Sequence, residues 1–151
     1  MPVAAAPTLA QLEESIREFW ATAPSNSLQL DREEKAWGQP QIAVARGDDP
    51  FFAQFKAMIG PFYWTPAEAF ALAFSDQSAP AAELRVISYL LPQTPATRAE
   101  QRRETTLPAE RWARSRFFGE QFNCELRLHL AHRLTAAGCP AVAPERLPGF
   151  D

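Results

Sequence analysis

Cysteine is scarce in this chain, with Cys124 and Cys139 the two thiols among 151 residues. Two cysteines make no disulfide framework of the kind that small secreted domains depend on, so a reduced, cytoplasmic setting is expected. They also fall short of an iron–sulfur motif, which needs several closely spaced thiolates. Long apolar runs are missing as well. None approaches the roughly 20 residues that span a bilayer, so no membrane association is expected. The opening stretch MPVAAAPTLAQLEES has no basic residue before its short alanine-rich run, which argues against a signal peptide. The six glycines build neither a glycine-lysine phosphate loop nor a G-x-G-x-x-G turn after a strand. No motif supports Ser-His-Asp chemistry.

What is present fits a single soluble domain of ordinary composition, 46% hydrophobic and 22% charged. The net charge of −3 argues against a general nucleic-acid binder. The charge is unevenly placed, however. Residues 1–80 hold ten acids and five bases, whereas 81–151 hold eight acids and ten bases.

Helix signals are clear. Thr8 and Gln11 form a capping box ahead of Leu12, Ile16, Phe19 and Trp20 at helical spacing. Asp49-Pro50 starts a second helix, with an apolar stripe of Phe51, Phe52, Phe55, Met58 and Ile59, which Gly60-Pro61 stops. Thr65 to Glu68 is another capping box. Ile42 to Ala45 reads as a short strand, and Leu84 to Leu91, with β-branched Val86 and Ile87, as the clearest one. The polar stretch after Pro92 has room for one or two helical turns. A helical pattern then runs from about Pro108 to Ala137, with Gly138 placed as its C-terminal cap, and Pro140 to Ala143 reads as a further strand. The expected fold class is therefore α/β. N-terminal helices precede a partial parallel or mixed sheet with a βαβ unit: strand 84–91, helix 108–137, strand 140–143. Residues 1–40 form an N-terminal helix and polar linker ahead of a domain from 41 to 151.

Two constellations carry chemistry. Arg98, Arg102, Arg103, Arg111, Arg114 and Arg116 fall within nineteen residues. Guanidinium groups recognise phosphate or carboxylate bidentately, so Arg102, Arg103 and Arg114 are candidates for holding an anionic ligand or RNA. The same arginines can instead pair with Glu100, Glu104 and Glu110 on a solvated face. Farther along, Phe118, Phe122, Leu126, Leu130 and Leu134 form one apolar stripe on the long helix, and Phe117, Cys124, Leu128 and Ala131 a second face. Arg116, Glu120, Asn123 and Arg127 fall on a line between them. Such a line borders a substrate or cofactor cleft, or is a salt-bridged edge. Cys124, His129, His132 and Cys139 do not converge on one side of a helix, and no metal site is expected. The two histidines are placed on the surface with Gln121 and Glu125.

The blocks DDPFFAQFK, YWTPAEAF, VISYLLPQTPATRAEQRRE, LPAERWARSRFFGEQFN and PAVAPE, in this order, resemble the N-terminal region of the epoxyqueuosine reductase-like iron–sulfur proteins. The likeness is greatest to the branch of 4Fe-4S ferredoxin-type proteins and covers Gln41 to the end. It implies an oxidoreductase relative whose full-length form binds cobalamin in an α/β domain and two [4Fe-4S] clusters in a ferredoxin-like C-terminal domain. Those enzymes reduce the epoxide of a modified tRNA base to an alkene. In them a Gly-x-Asp-Tyr-His segment starts the long helix. Gly119 to Asn123 matches it, with Gln121 for Asp, Phe122 for Tyr and Asn123 for His. These changes imply another substrate. The family's cluster cysteines and cobalamin-contacting segment lie downstream of its counterpart to PAVAPE, so the resemblance implies an N-terminal fragment, not catalytically competent alone. It would bind neither cofactor by itself, and would self-associate or pair with its missing C-terminal portion. The alternative is a non-catalytic module that uses the arginine segment to hold an anionic partner.

Overall fold

A computed structural model describes residues 6–150 as a mixed α/β chain. The elements are α1 (Leu9–Thr22), β1 (Gln41–Arg46), α2 (Pro50–Ile59), α3 (Pro66–Ala73), β2 (Arg85–Leu90), α4 (Pro95–Gln101) and α5 (Glu110–Ala136). Short 3-10 turns lie at Ala81–Glu83 and Pro144–Arg146.

The caps form as their chemistry dictates. Thr8 Oγ1 accepts from the Gln11 amide at 3.3 Å, while the Gln11 side chain accepts from the Thr8 N–H at 2.9 Å. Thr65 and Glu68 repeat this arrangement at α3, and Asp49 caps α2 through the Phe51 N–H. At the far end of α5, Gly138 takes φ +80°, which lets Gly138 N–H reach Thr135 O and Cys139 N–H reach Leu134 O, both at 2.9 Å. This is a Schellman ending, and glycine is there because a side chain would be strained at that φ.

Two expectations fail in the sheet. Among the described residues it has two strands, β1 beside β2, and runs antiparallel instead of parallel or mixed. Beyond the strand ends Gly38 N–H donates to Pro92 O and Gly47 N–H to Leu84 O, in antiparallel register. The expected strand at 140–143 is irregular chain leading into the Pro144–Arg146 turn. Pro140 and Pro144 bracket it, so it lacks amides at both ends to enter a ladder. With β1 as the partner of β2, no βαβ crossover forms among the described residues.

The chain divides into two compact units. One comprises the chain through Gln41 together with Tyr89–Pro140, and so holds α1, α4 and α5. Its core is Leu12 and Ile16 of α1, Leu28, Ala36 and Trp37 of the following loop, Ala109, and Phe122, Leu126 and Leu130 of α5. The other comprises Ile42–Ser88 and the chain from Ala141 onward, with α2 and α3. Among its described residues Ala69 is the buried apolar one. Local contacts tie it together. Lys56 Nζ meets Glu68 at 2.9 Å and the carbonyls of Pro61 and Tyr63 at 3.1 Å, and the Phe70 ring lies tilted against Phe74 at 4.8 Å.

Candidate functional site

Helix α5 carries most of the residues singled out for function, and its buried seam decides which way they face. The seam is Ser115, Gly119, Phe122, Leu126 and Leu130, at spacings of four, three, four and four. The expected second buried face is not there. Phe117 is 78% exposed, Leu128 is also exposed, and Cys124 is half-buried. A helix of this length packs along one seam here and leaves the opposite side to solvent.

Small residues in the seam admit partners from elsewhere in the chain. The Trp37 indole lies directly over Gly119, and its Nε1 donates to Gly119 O at 2.9 Å. Ser115, fully buried, shares a hydrogen bond of 2.9 Å with the Gln93 amide. Trp37 is fixed in turn by its own N–H to Asn26 Oδ1 and by Trp20 Nε1 donating to its carbonyl.

Three of the four residues on the expected polar line are joined. Glu120 accepts from Asn123 Nδ2 at 3.2 Å and from Arg127 Nη1 at 3.3 Å. Asn123 Oδ1 accepts from the Tyr89 hydroxyl of β2 at 2.8 Å, and Arg127 also reaches Cys124 Sγ at 3.7 Å. Arg116 stands apart, exposed and without an ion pair among the described residues. The result is a half-exposed edge in which one carboxylate sits between an amide and a guanidinium. It can offer hydrogen bonds of both polarities to a ligand alongside it.

The arginine segment divides by role. Arg111 forks onto Glu34 at 2.8 and 3.0 Å and also pairs with Glu100, all three side chains being half-buried. The two arginines beside it, Arg111 first and Arg32 second, hold the Glu34 carboxyl down to about 2. Arg111 likewise lowers Glu100, and the paired carboxylates raise Arg111 further above its already high value. Arg114 pairs with Glu110 at 2.8 Å, donates to the carbonyls of Leu28 and Gln29 and lies over the Phe118 ring. These two arginines fasten the loop after α1 to α5, so Arg114 is not a free anion receptor. Arg102 and Arg103 are exposed just past α4 and make no ion pair among the described residues. Next to them, Gln101, Glu104, Thr105, Thr106, Leu107, Pro108 and Trp112 line an open hollow of about 240 Å³.

Sequence reasoning missed one polar pair. His129 is half-buried, stacks on Phe19 at 4.6 Å and lies 2.9 Å from the hydroxyl of buried Ser15, Nε2 to Oγ. Its expected surface position fails because α1 covers that side of α5, where Ser25 also donates to Glu125. Burial first, then Arg133 and His132, lower the His129 pKa. The signal was available in α1, where Ser15 interrupts the apolar positions Leu12, Ile16 and Phe19 on one face.

Among the described residues, no group of three or more His, Cys, Asp or Glu side chains is placed to hold a metal ion, and no helix is long and apolar enough to cross a membrane. Comparison with family profiles, curated proteins and solved structures finds nothing that matches the chain. The fit of the implied cofactors rests on the residues themselves. A [4Fe-4S] cluster takes four thiolates, and Cys124 and Cys139 cannot complete one. The Glu120 edge spends the Asn123 amide and one Arg127 nitrogen on its own carboxylate.

Proposed function

We propose that this chain is a non-catalytic part of a cobalamin- and iron–sulfur-dependent, epoxyqueuosine reductase-like protein, and that its α5 edge faces substrate or cofactor while the reactive groups come from elsewhere. The observation that supports this reading is the Tyr89–Asn123–Glu120–Arg127 network. Its members Glu120 and Asn123 lie in the stretch Gly119 to Asn123, one of those that carry the resemblance to those reductases, with Arg127 just beyond it and Tyr89 reaching it from β2. Held from two elements, β2 and α5, such groups are positioned to orient a bound molecule without reacting with it. In this reading the chain's own residues bind and orient, and no step of the reduction is assigned to them.

The test starts with the reading frame beyond Asp151, which should encode a cysteine-rich ferredoxin-like region. A chain extended through it should change the visible spectrum of added cobalamin. Asn123→Ala and Arg127→Ala should weaken that binding by about tenfold each, the loss of one hydrogen bond to a charged group. A downstream frame without such cysteines, or an extended chain that leaves the spectrum unchanged, overturns the proposal.

The exposure of Arg102 and Arg103 beside the 101–108 hollow favours a second reading, an anion-binding module for phosphate or RNA. In that case Arg102→Ala with Arg103→Ala should abolish binding of a short RNA and leave thermal stability unchanged. Arg114→Ala should instead lower stability, because it frees the Leu28 and Gln29 carbonyls. Absence of any RNA or phosphate binding by the wild-type chain refutes this reading.

A further inference from the structure

Helix α2 buries none of its residues, although it is among the most apolar segments of the chain. Phe51, Phe55 and Met58 follow one another at spacings of four and three along a single helix face, and Phe62 continues the series in the turn beyond Gly60. They are 58%, 42%, 82% and 72% exposed, and Ile59 beside them 51%. At about 200 Å² for a large apolar side chain, these fractions leave on the order of 600 Å² of apolar surface in water. That is the upper end of the largest patch on an ordinary monomer. It also covers the roughly 450–520 Å² of apolar area on one side of a standard interface of about 800 Å² per partner.

We propose that this stripe is the surface on which two copies of the chain pair about a two-fold axis. The charge distribution supports a second copy as the occupant. Lys56 is the one ionisable side chain of α2, and its ammonium is engaged by Glu68, Pro61 O and Tyr63 O. Nearby, Asp48 pairs with Arg46 and Asp49 caps the helix. The stripe therefore carries no free charge with which to choose a different partner, and pairing it with itself strands no ion in the interface. An antiparallel, isologous arrangement sets Phe55 against Met58 and Phe51 against Phe62 of the second copy. It also opposes the two helix dipoles, bringing each Asp49-capped end to the other's carbonyl end. The inference rests on residues 46–68 alone and is independent of the reductase reading.

Sedimentation equilibrium of the purified 16.8 kDa chain tests it. The wild type should sediment at twice that mass at micromolar concentration. Met58→Asp, which places a carboxylate in the seam of both copies, should raise the dimer dissociation constant by about 100-fold with unchanged far-UV circular dichroism. If that variant does not fold, Phe62→Ser, outside the helix, takes its place with the same expectation. A wild-type chain that stays monomeric at about 100 μM overturns the proposal, whatever else the stripe then binds. So does a dimer that survives these substitutions, because its interface is elsewhere.

Discussion

Replacing Gly119 by alanine sets two effects of known size against each other. Alanine in a helix interior is worth about 1 kcal/mol over glycine, and α5 would gain that much if the position were open. It is not open. A Cβ at 119 would lie 2.5 Å from Trp37 Nε1, 2.8 Å from Cε2 and 3.0 Å from Cζ2. The indole cannot step aside cheaply, since it is 8% exposed and its residue is bound to Gly119 O, Asn26 and Trp20. Overpacking of this kind costs about 1–3 kcal/mol. Loss of the indole hydrogen bond adds about 1 kcal/mol more. The net expectation is a destabilisation of about 2 kcal/mol, or a fall of about 4–8 °C in Tm for a domain of this size. Urea unfolding followed by tryptophan fluorescence reads it directly. In a Trp37→Phe background, with a smaller ring and no donor, the same substitution should cost far less, giving a coupling of at least about 1 kcal/mol. A Gly119→Ala protein as stable as the wild type would refute the packing of Trp37 on α5.

Arg111→Ala leaves Glu34 and Glu100 facing each other, half-buried and without their cation, with an expected loss of about 1 kcal/mol after solvent screening; Arg111→Lys, without the fork, should recover part of it. Because Glu34 is held down from 4.5 to about 2, the wild type loses stability as pH falls through that window, and Arg111→Ala should show a shallower acid limb in the same titration. His129 has the opposite chemistry and the same sign. Its folded pKa lies below 6.5, so its contribution is present above 6.5 and is lost as pH falls below it. His129→Gln should flatten the difference in urea midpoint between about pH 7.5 and 5.5; an unchanged slope would mean that another group titrates there.

Local signals were legible wherever a single turn of chain decides the conformation. Thr8-Gln11, Asp49-Pro50, Thr65-Glu68 and Gly138 act within four residues of themselves, and each does in the fold what its chemistry predicts. The sheet was harder, because an apolar segment such as Val86 to Leu91 shows that a strand exists but not which segment pairs with it. The seam of α5 was only half visible. Phe122, Leu126 and Leu130 advertise themselves by hydrophobicity, whereas Ser115 and Gly119 are buried for being small, which a hydrophobic pattern does not register. Phe117 misled for the converse reason, as an aromatic on the solvent side. The arginines were visible as a group, but their division into fasteners and free cations depends on Glu34 and on the Leu28 and Gln29 carbonyls, some 80 residues away.

That last distance has a consequence for how the chain is made. Leu12, Ile16, Phe19 and Trp20 leave the ribosome early, yet Ser15 meets His129 across 114 positions, Ser25 meets Glu125 across 100 and Trp37 meets Gly119 across 82. At about 5–20 residues per second, the amphipathic face of α1 waits on the order of 5–20 s for the helix that covers it. For that interval it is an uncovered apolar segment of the nascent chain, open to chaperones. Slower synthesis through residues 40–130 lengthens that interval in proportion.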